Sequence, residues 1–300
     1  MEIRGVFIED TFAEAFPMRA ARIVITARTP RWAREAALKL TGFATSVIAC
    51  KCEAAIEREL AEHETPDGRA GVSVLLFTMD TDSLRKRLVE RIGQTVLTCP
   101  TTSCFDGLPG MTDRVPAGRA LRVFGDLYQV SKVIGGERFW RVPVMEGEFL
   151  LQESFGVQKQ GIGGGNFLIL AEEEDSALAA AEAAAAAIQL VSGVILPFPG
   201  GIARSGSKIG ARHYKALVAS TNDAYCPSLR PLVESALPDG VSSVLELVLD
   251  GLDADAISRA MRAGIGAACR PGVRAITAGN YGGKLGPHHF HLRRIMEGAT

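Results

Sequence analysis

One glutamate carries the clearest chemical signal in the chain. Glu246 lies in Val244-Leu-Glu-Leu-Val248, a run that alternates as a strand does. Leu245 and Leu247 then face one side, and Val244, Glu246 and Val248 the other. Two readings are open: the second side is a solvent face, or the carboxyl sits among apolar neighbours. In the latter case desolvation raises its pKa, so that it carries a proton near neutral pH and can act as a general acid.

Four segments rich in glycine and small hydroxyl residues surround this signal: RIGQTVLTCPTT at 91–102, GIGGGNF at 161–167, PFPGGIARSGSKIG at 197–210 and ITAGNYGGKLG at 276–286. Each ends a strand or helix pattern, where glycine allows a tight turn or a close approach to a ligand. The expectation is that backbone amides line the working cleft. Thr101, Thr102, Ser207, Asn280 and Tyr281 are candidate substrate contacts, or else turn and cap residues. Arg204, Lys208 and Lys284 are candidate contacts for an acidic ligand, or else solvated loop charges. Nucleotide binding is not expected. The lysine after Gly201 falls one place late for a phosphate loop, with no Ser or Thr behind it, and 161–166 lacks the third glycine of a dinucleotide fingerprint.

These residues need a frame, and the pattern along the chain supplies the same one twice. A β-branched run at 22–27 leads to a helix opened by Thr29 and Pro30, with Trp32, Ala36, Ala37 and Leu40 on one face. Strands are expected at 46–52 and 71–79. A second helix is marked by Leu84, Leu88 and Ile92, and 95–100 closes the unit as a strand. The second half repeats this order: a strand at 166–171, an alanine-rich helix capped by Asp175 or Ser176, and a strand at 193–198. After an insertion come a strand at 242–251, a helix capped by Asp253 with Ile257, Met261 and Ile265, and a strand at 273–279. The unit βαββαβ is the ferredoxin-like motif. The expected fold class is α/β (α+β), with two ferredoxin-like lobes from an internal duplication at 1–149 and 150–300. An inserted β-hairpin region at 108–149 turns at Gly135–Gly136. Its Phe124, Tyr128, Phe139 and Trp140 form a subunit interface or pack on their own lobe.

Composition narrows the class. At 300 residues, 47% hydrophobic and 22% charged, the chain is an ordinary globular protein, and a net charge of −1 counts against a nucleic-acid binder. The apolar run at 177–198 is mostly alanine, broken by Glu182, Gln189, Ser192 and Gly193, so no membrane span is expected. Six cysteines without a signal-peptide pattern read as reduced thiols in a cytoplasmic protein. Cys50, Cys52, Cys99 and Cys104 are expected to be buried rather than zinc-bound. His288, His289 and His291 are expected in a solvated tail, and no metal is expected.

The four glycine segments, with IEDTFAEAF at 8–16, FDG at 105–107, MEG at 145–147 and ASTN at 219–222, resemble the formylmethanofuran–tetrahydromethanopterin formyltransferases. The resemblance runs in order from residue 2 to about residue 286. It implies that Glu246 stands at the position of the family's catalytic glutamate. It also implies formyl transfer between N5 of tetrahydromethanopterin and the amine of a methanofuran or methylofuran carrier, in formaldehyde oxidation. The transfer proceeds directly, through a tetrahedral oxyanion. Arg204, Lys208 and Lys284 would then meet the carriers' acidic tails. A homotetramer and hydrolase partner subunits are implied as well. The alternatives are a non-catalytic scaffold subunit of a formyltransferase/hydrolase complex and formyl transfer to folate. Retention of Glu246 and both long glycine motifs argues against the scaffold.

Overall fold

A computed structural model describes residues 1–298, apart from the side chain of Ser207. The chain falls into two compact units, one of Met18–Gly161 and one of Met1–Pro17 with the chain from Ile162 onward. The amino-terminal residues, expected in the first lobe, therefore group with the second half. Strand pairing is the reason. Val6–Ile8 runs parallel to Val273–Thr277, and His288–His291 runs antiparallel to residues 12–15 of strand Phe12–Thr26. The three histidines expected in a solvated tail thus belong to a paired strand, anchored by buried Phe290.

In the unit Met18–Gly161 the strand order is Glu53–Leu60, Gly71–Thr78, Phe12–Thr26 (from Met18 on) and Ser103–Asp106, each antiparallel to its neighbour. Helices Pro30–Thr41 and Thr81–Arg91 cover one face. Their Ala33, Ala37, Leu40, Leu84 and Leu88 share a core with Ile23, Ile25, Val74 and Leu76. Two local expectations give way. Residues 46–52 hold one helical turn, Val47–Cys50, because Ser46 Oγ accepts the Ile48 N–H at 3.3 Å and Lys51 turns left-handed; the strand starts at Glu53. Residues 95–100 do not close the unit. Helix Thr81–Arg91 runs on as a π turn, Ile92–Val96, that buries Ile92 and Val96, and Ser103–Asp106 is the closing strand. Gly147–Gln152 then pairs parallel to it, followed by Glu137–Val144 and Val130–Ile134 as a hairpin turning at Gly135–Gly136.

The other unit has the same order: Val194–Ile195, Ser243–Gly251, Gln158–Ala171 (from Ile162 on) and Val273–Thr277, again antiparallel. Helices Glu174–Ile188 and Ala254–Ala268 cover one face, with Ala180, Ala184, Ile188, Ile257 and Met261 against Phe167, Ile169, Leu247 and Leu249. Small residues bring the helices close, since a Cβ on Gly264 would lie 2.7 Å from Ile188. The glycines of 161–167 lie inside the strand, not in a loop, at a register shift between Ile162 and Gly165. The segment from 199 to 242 is the insertion. Its Leu237, Val241 and Tyr225 pack with Leu168, Leu170, Val244 and Ala275, the set that alternation assigns to the sheet's second face.

The loop after Val273–Thr277 is wound round a buried carboxylate. Glu14 accepts the N–H of Tyr281 at 2.7 Å, Gly283 at 3.1 Å and Gly286 at 2.8 Å, and that of Leu285 as well. Gly282 and Gly283, at φ 67° and 76°, take the left-handed turn that brings these amides inward. Burial pushes the Glu14 carboxyl up, but the four amide donors outweigh it and hold it below its ordinary value. A depressed pKa means stability that is present above the ordinary carboxylate range and lost as pH falls through the folded-state value. Glu14→Gln keeps the size, removes one acceptor oxygen and sets an NH2 against the amides. Urea unfolding at pH 7 is expected to show a loss of about 2–4 kcal/mol, the cost of charge-assisted bonds with donors left unpaired. The loss should shrink in acid, where the wild-type carboxyl is protonated too.

Candidate functional site

Glu246 sits on the sheet face that the insertion covers. Its cross-strand partner is Leu168. On its other side Ala203 forms a two-bond bridge with it, Ala203 N–H to Glu246 O at 2.8 Å and Glu246 N–H to Ala203 O at 2.9 Å. That bridge lays Arg204, Ser205 and Gly206 beside the carboxyl, and the turn of the insertion brings Asn222, Tyr225 and Cys226 opposite. Together they enclose a cavity of about 30 Å³, close to the volume of one water molecule. The face is therefore largely covered, with Glu246 left partly exposed. Burial pushes the Glu246 carboxyl up to about 7, and no charged neighbour contributes to the shift. A carboxyl so poised can give or take a proton at neutral pH.

The same unit holds most of the other expected contacts. Arg204 lines the Glu246 cavity and is exposed. The Ser207 side chain lies outside the described residues; its backbone opens strand Ser207–Ile209, which pairs with Ala219–Thr221. Lys208 is bound to Asp223, and its ammonium holds that carboxyl below the ordinary range. The pair borders a shallow cavity of about 460 Å³ with Arg212 and Glu234. Tyr281 accepts the Ile209 N–H on its hydroxyl at 2.9 Å, which ties the 276–286 segment to that strand. The Asn280 amide is spent on its own chain: it donates to Thr11 Oγ1 at 3.0 Å and to Phe12 O at 3.1 Å, and accepts from Gly282 N–H at 3.1 Å. Lys284 is exposed.

Thr101 and Thr102 belong to the unit Met18–Gly161, where they line a cleft of about 1010 Å³ with Arg28, Arg69, Phe124, Met145 and Glu146. Thr101 is a β-branched residue at φ 63°, a conformation that costs about 1–2 kcal/mol. Three contacts impose it: Glu146 accepts its N–H at 2.7 Å, Arg69 donates to its carbonyl at 2.7 Å, and the Arg28 N–H donates to its hydroxyl oxygen at 3.2 Å. The Thr102 hydroxyl turns inward to Val96 O at 2.6 Å and braces the same loop.

Sequence reasoning missed Asn222, Tyr225 and Cys226 as neighbours of Glu246. They lie in a stretch without periodicity, and its length alone was the available signal.

Comparison with known proteins agrees over the whole chain. A family model described as formylmethanofuran-tetrahydromethanopterin formyltransferase matches residues 1–144, and one described as FTR, proximal lobe, matches residues 147–295. A formylmethanofuran–tetrahydromethanopterin formyltransferase of Methylococcus capsulatus is 58% identical, covering 99% of this chain and 100% of that protein. The solved formyltransferase of Methanosarcina barkeri superposes with a TM-score of 0.94 at 50% identity, covering 98% of this chain and all of that one. The formyltransferase/hydrolase complex of Methylorubrum extorquens, solved with methylofuran, contains a chain that superposes with a TM-score of 0.96 at 47% identity, with 99% and 98% coverage.

The raised Glu246 pKa has a consequence for stability. Its folded value of about 7 exceeds the ordinary 4.5, so the folded state binds the extra proton. Stability then falls as pH rises from about 4.5 to 7 and stays reduced above that window. Glu246→Gln removes the charge and keeps the shape. In thermal melts the variant should match wild type at pH 4 and exceed it at pH 8, by up to about 3 kcal/mol.

Proposed function

The chain belongs to the formylmethanofuran–tetrahydromethanopterin formyltransferase family, and we propose that Glu246 is the proton donor of its reaction. The protein is a formyltransferase of one-carbon metabolism, with tetrahydromethanopterin and a methanofuran-type or methylofuran-type amine as carriers. Transfer requires one amine nitrogen to attack the formamide carbon of the other carrier, giving a tetrahedral oxyanion, and the second nitrogen to leave with a proton. The attacking nitrogen gives up a proton and the leaving nitrogen gains one, so the balance closes without a covalent enzyme intermediate. Protonated Glu246 supplies the leaving nitrogen and recovers its proton from the attacking one. The observation that carries this role is a carboxyl without a hydrogen-bond partner among the described residues, pushed up to about 7 by burial.

The remaining contacts divide by chemistry. Arg204 and Lys284, both exposed, are the cations placed to meet acidic carrier tails, while Lys208 acts with Asp223 as a pair. Ser207 and Tyr281 are assigned to the substrate side of the same segments, with Asn280 organising the loop that bears Tyr281. Thr101 and Thr102 are assigned to the lining of the second cleft, where the imposed strain at Thr101 supports a functional reading.

The lobes 1–149 and 150–300 are read as two ferredoxin-like copies of one ancestral unit; the repeated strand order and family matches meeting at residues 144 and 147 support this. The protein is read as a cytoplasmic homotetramer that joins hydrolase subunits. Among the described residues no helix is long and apolar enough to cross a membrane. Support for assembly comes from Phe124, Leu127, Tyr128, Val133, Ile134 and Met145, large apolar side chains left exposed on the hairpin region.

Formyl transfer by the purified protein tests the central claim. Glu246→Gln should lower kcat about a hundredfold or more, and wild-type kcat should fall as pH rises above about 7, where Glu246 loses its proton. A folded wild type without activity would point instead to the scaffold role. For assembly, Leu127→Glu with Tyr128→Glu should reduce the sedimenting mass; an unchanged mass would place the interface elsewhere.

A further inference from the structure

The hairpin 207–221 stands on the rim of the Glu246 cavity. The chain enters it from Arg204, Ser205 and Gly206 and leaves it at Asn222, and all four residues line that cavity. The two legs close on each other there: Gly206 turns at φ 54°, and a Cβ on it would lie 3.3 Å from that of Asn222. Within the arm, the Gly210 N–H donates to Val218 O at 2.7 Å and the Ser220 hydroxyl to Gly210 O at 2.7 Å. These bonds fix the shape of the arm but not its angle to the sheet. The arm carries Lys208 and Arg212, and it leaves Ile209, Tyr214 and Val218 exposed.

A bond to a distant segment sets that angle. The Ile209 N–H donates to the Tyr281 hydroxyl at 2.9 Å. Tyr281 can accept there only if its own backbone is held, and Glu14 holds it. One oxygen of the buried Glu14 carboxylate takes the N–H of Tyr281 at 2.7 Å and of Gly283 at 3.1 Å; the other takes those of Leu285 and of Gly286, the latter at 2.8 Å. A carboxylate is suited to this task, since both its atoms accept. On the near side of Tyr281, Asn166 accepts the Gly279 N–H at 2.6 Å and donates to the Gly279 carbonyl at 3.2 Å. Two consecutive links, Ile209 to Tyr281 and Tyr281 to Glu14, thus run from the arm to strand Phe12–Thr26. Glu14 itself pairs with His289 in that strand and is not part of the cavity lining.

We propose that Glu14 is a positioning residue for the wall beside Glu246: by fixing the Tyr281 backbone, it places the Tyr281 hydroxyl as the acceptor that holds the hairpin 207–221 at the cavity rim. That a carrier meets this hairpin rests on the reading of Arg204 and Lys208 given above; the latch itself does not.

Residue-resolved amide hydrogen exchange on the assembled, substrate-free protein reads the latch directly. Tyr281→Phe removes the acceptor and should speed exchange at Ile209 by about fivefold or more. Glu14→Asp keeps the charge but withdraws both oxygens by one methylene, and should speed the same amide by a similar factor. Glu14→Gln serves where that variant does not assemble. The Gly210 amide, bonded inside the arm, should stay within about twofold of wild type in every variant. In formyl-transfer assays Tyr281→Phe and Glu14→Asp should raise the KM of the same carrier severalfold with little change in kcat, and the double variant should be no worse than the poorer single one. Ile209 exchange unmoved in Tyr281→Phe, or unmoved in the folded Glu14 variants, overturns the proposal. So does equal acceleration at Gly210, which would mean general loosening, or a double variant whose KM effects multiply. Faster Ile209 exchange with unchanged KM upholds the latch and rejects the hairpin as a carrier wall.

Discussion

Taking a carboxyl group out of water is the constraint around which the unit containing Glu246 is organised. Two glutamates in that unit resolve it in opposite ways. Glu14 is buried and remains charged because four backbone amides replace its water shell. Among the described residues Glu246 has no such donors, so burial acts on it unopposed and favours the neutral acid. The first arrangement builds a rigid loop. The second leaves a group ready to exchange a proton; the more deeply buried Glu14 is the one that keeps its charge, so what surrounds each carboxyl decides its state more than depth does.

That difference arises from where extra chain was added to a shared frame. Both units carry four antiparallel strands in the same order with two helices on one face. In the unit with Glu246, the strand after the first helix is cut to Val194–Ile195, and the chain then wanders from 199 to 242 before rejoining the sheet. This excursion lies on the face without helices, so a strand position that would meet solvent meets Leu237, Val241 and Tyr225 instead. The regular strand holds Glu246 on one side and the Ala203 bridge of the insertion on the other, while the rest of the insertion sets its surroundings. Placement thus draws on both parts of the chain, and tuning on the irregular one.

The elements legible in the sequence are those whose period is set by a single buried face. The helices marked by Leu84, Leu88 and Ile92 and by Ile257, Met261 and Ile265 stand where expected, as does the strand bearing Glu246. The boundaries that moved are those decided by tertiary pairing. Glu53–Leu60 has the composition of a helix, yet it forms a strand because Gly71–Thr78 lies beside it. The grouping of Met1–Pro17 with the carboxy-terminal half depends on pairing across more than 250 residues, which no local pattern encodes. Glu246 was legible as a residue of interest, but the two readings of its strand face could not be separated. The answer lay in an insertion without period, whose Asn222, Tyr225 and Cys226 line the Glu246 cavity.

The glycine segments carry the same lesson to a finer scale. Their expected use was to present free backbone amides to a substrate. In the 276–286 segment the amides of Tyr281, Gly283, Leu285 and Gly286 are instead consumed by Glu14, and that of Gly279 by Asn166 Oδ1 at 2.6 Å. A loop that spends its amides on its own protein gains a fixed shape, and what it then offers outward are side chains: the Tyr281 hydroxyl, which accepts the Ile209 N–H, and the exposed Lys284. The 197–210 segment works in the same way, since Ala203 is bound by a backbone bridge and the residues after it reach the Glu246 cavity. Glycine at these positions serves close self-recognition first. The contacts left for a ligand are set at a distance from it, by the residues that the turns aim.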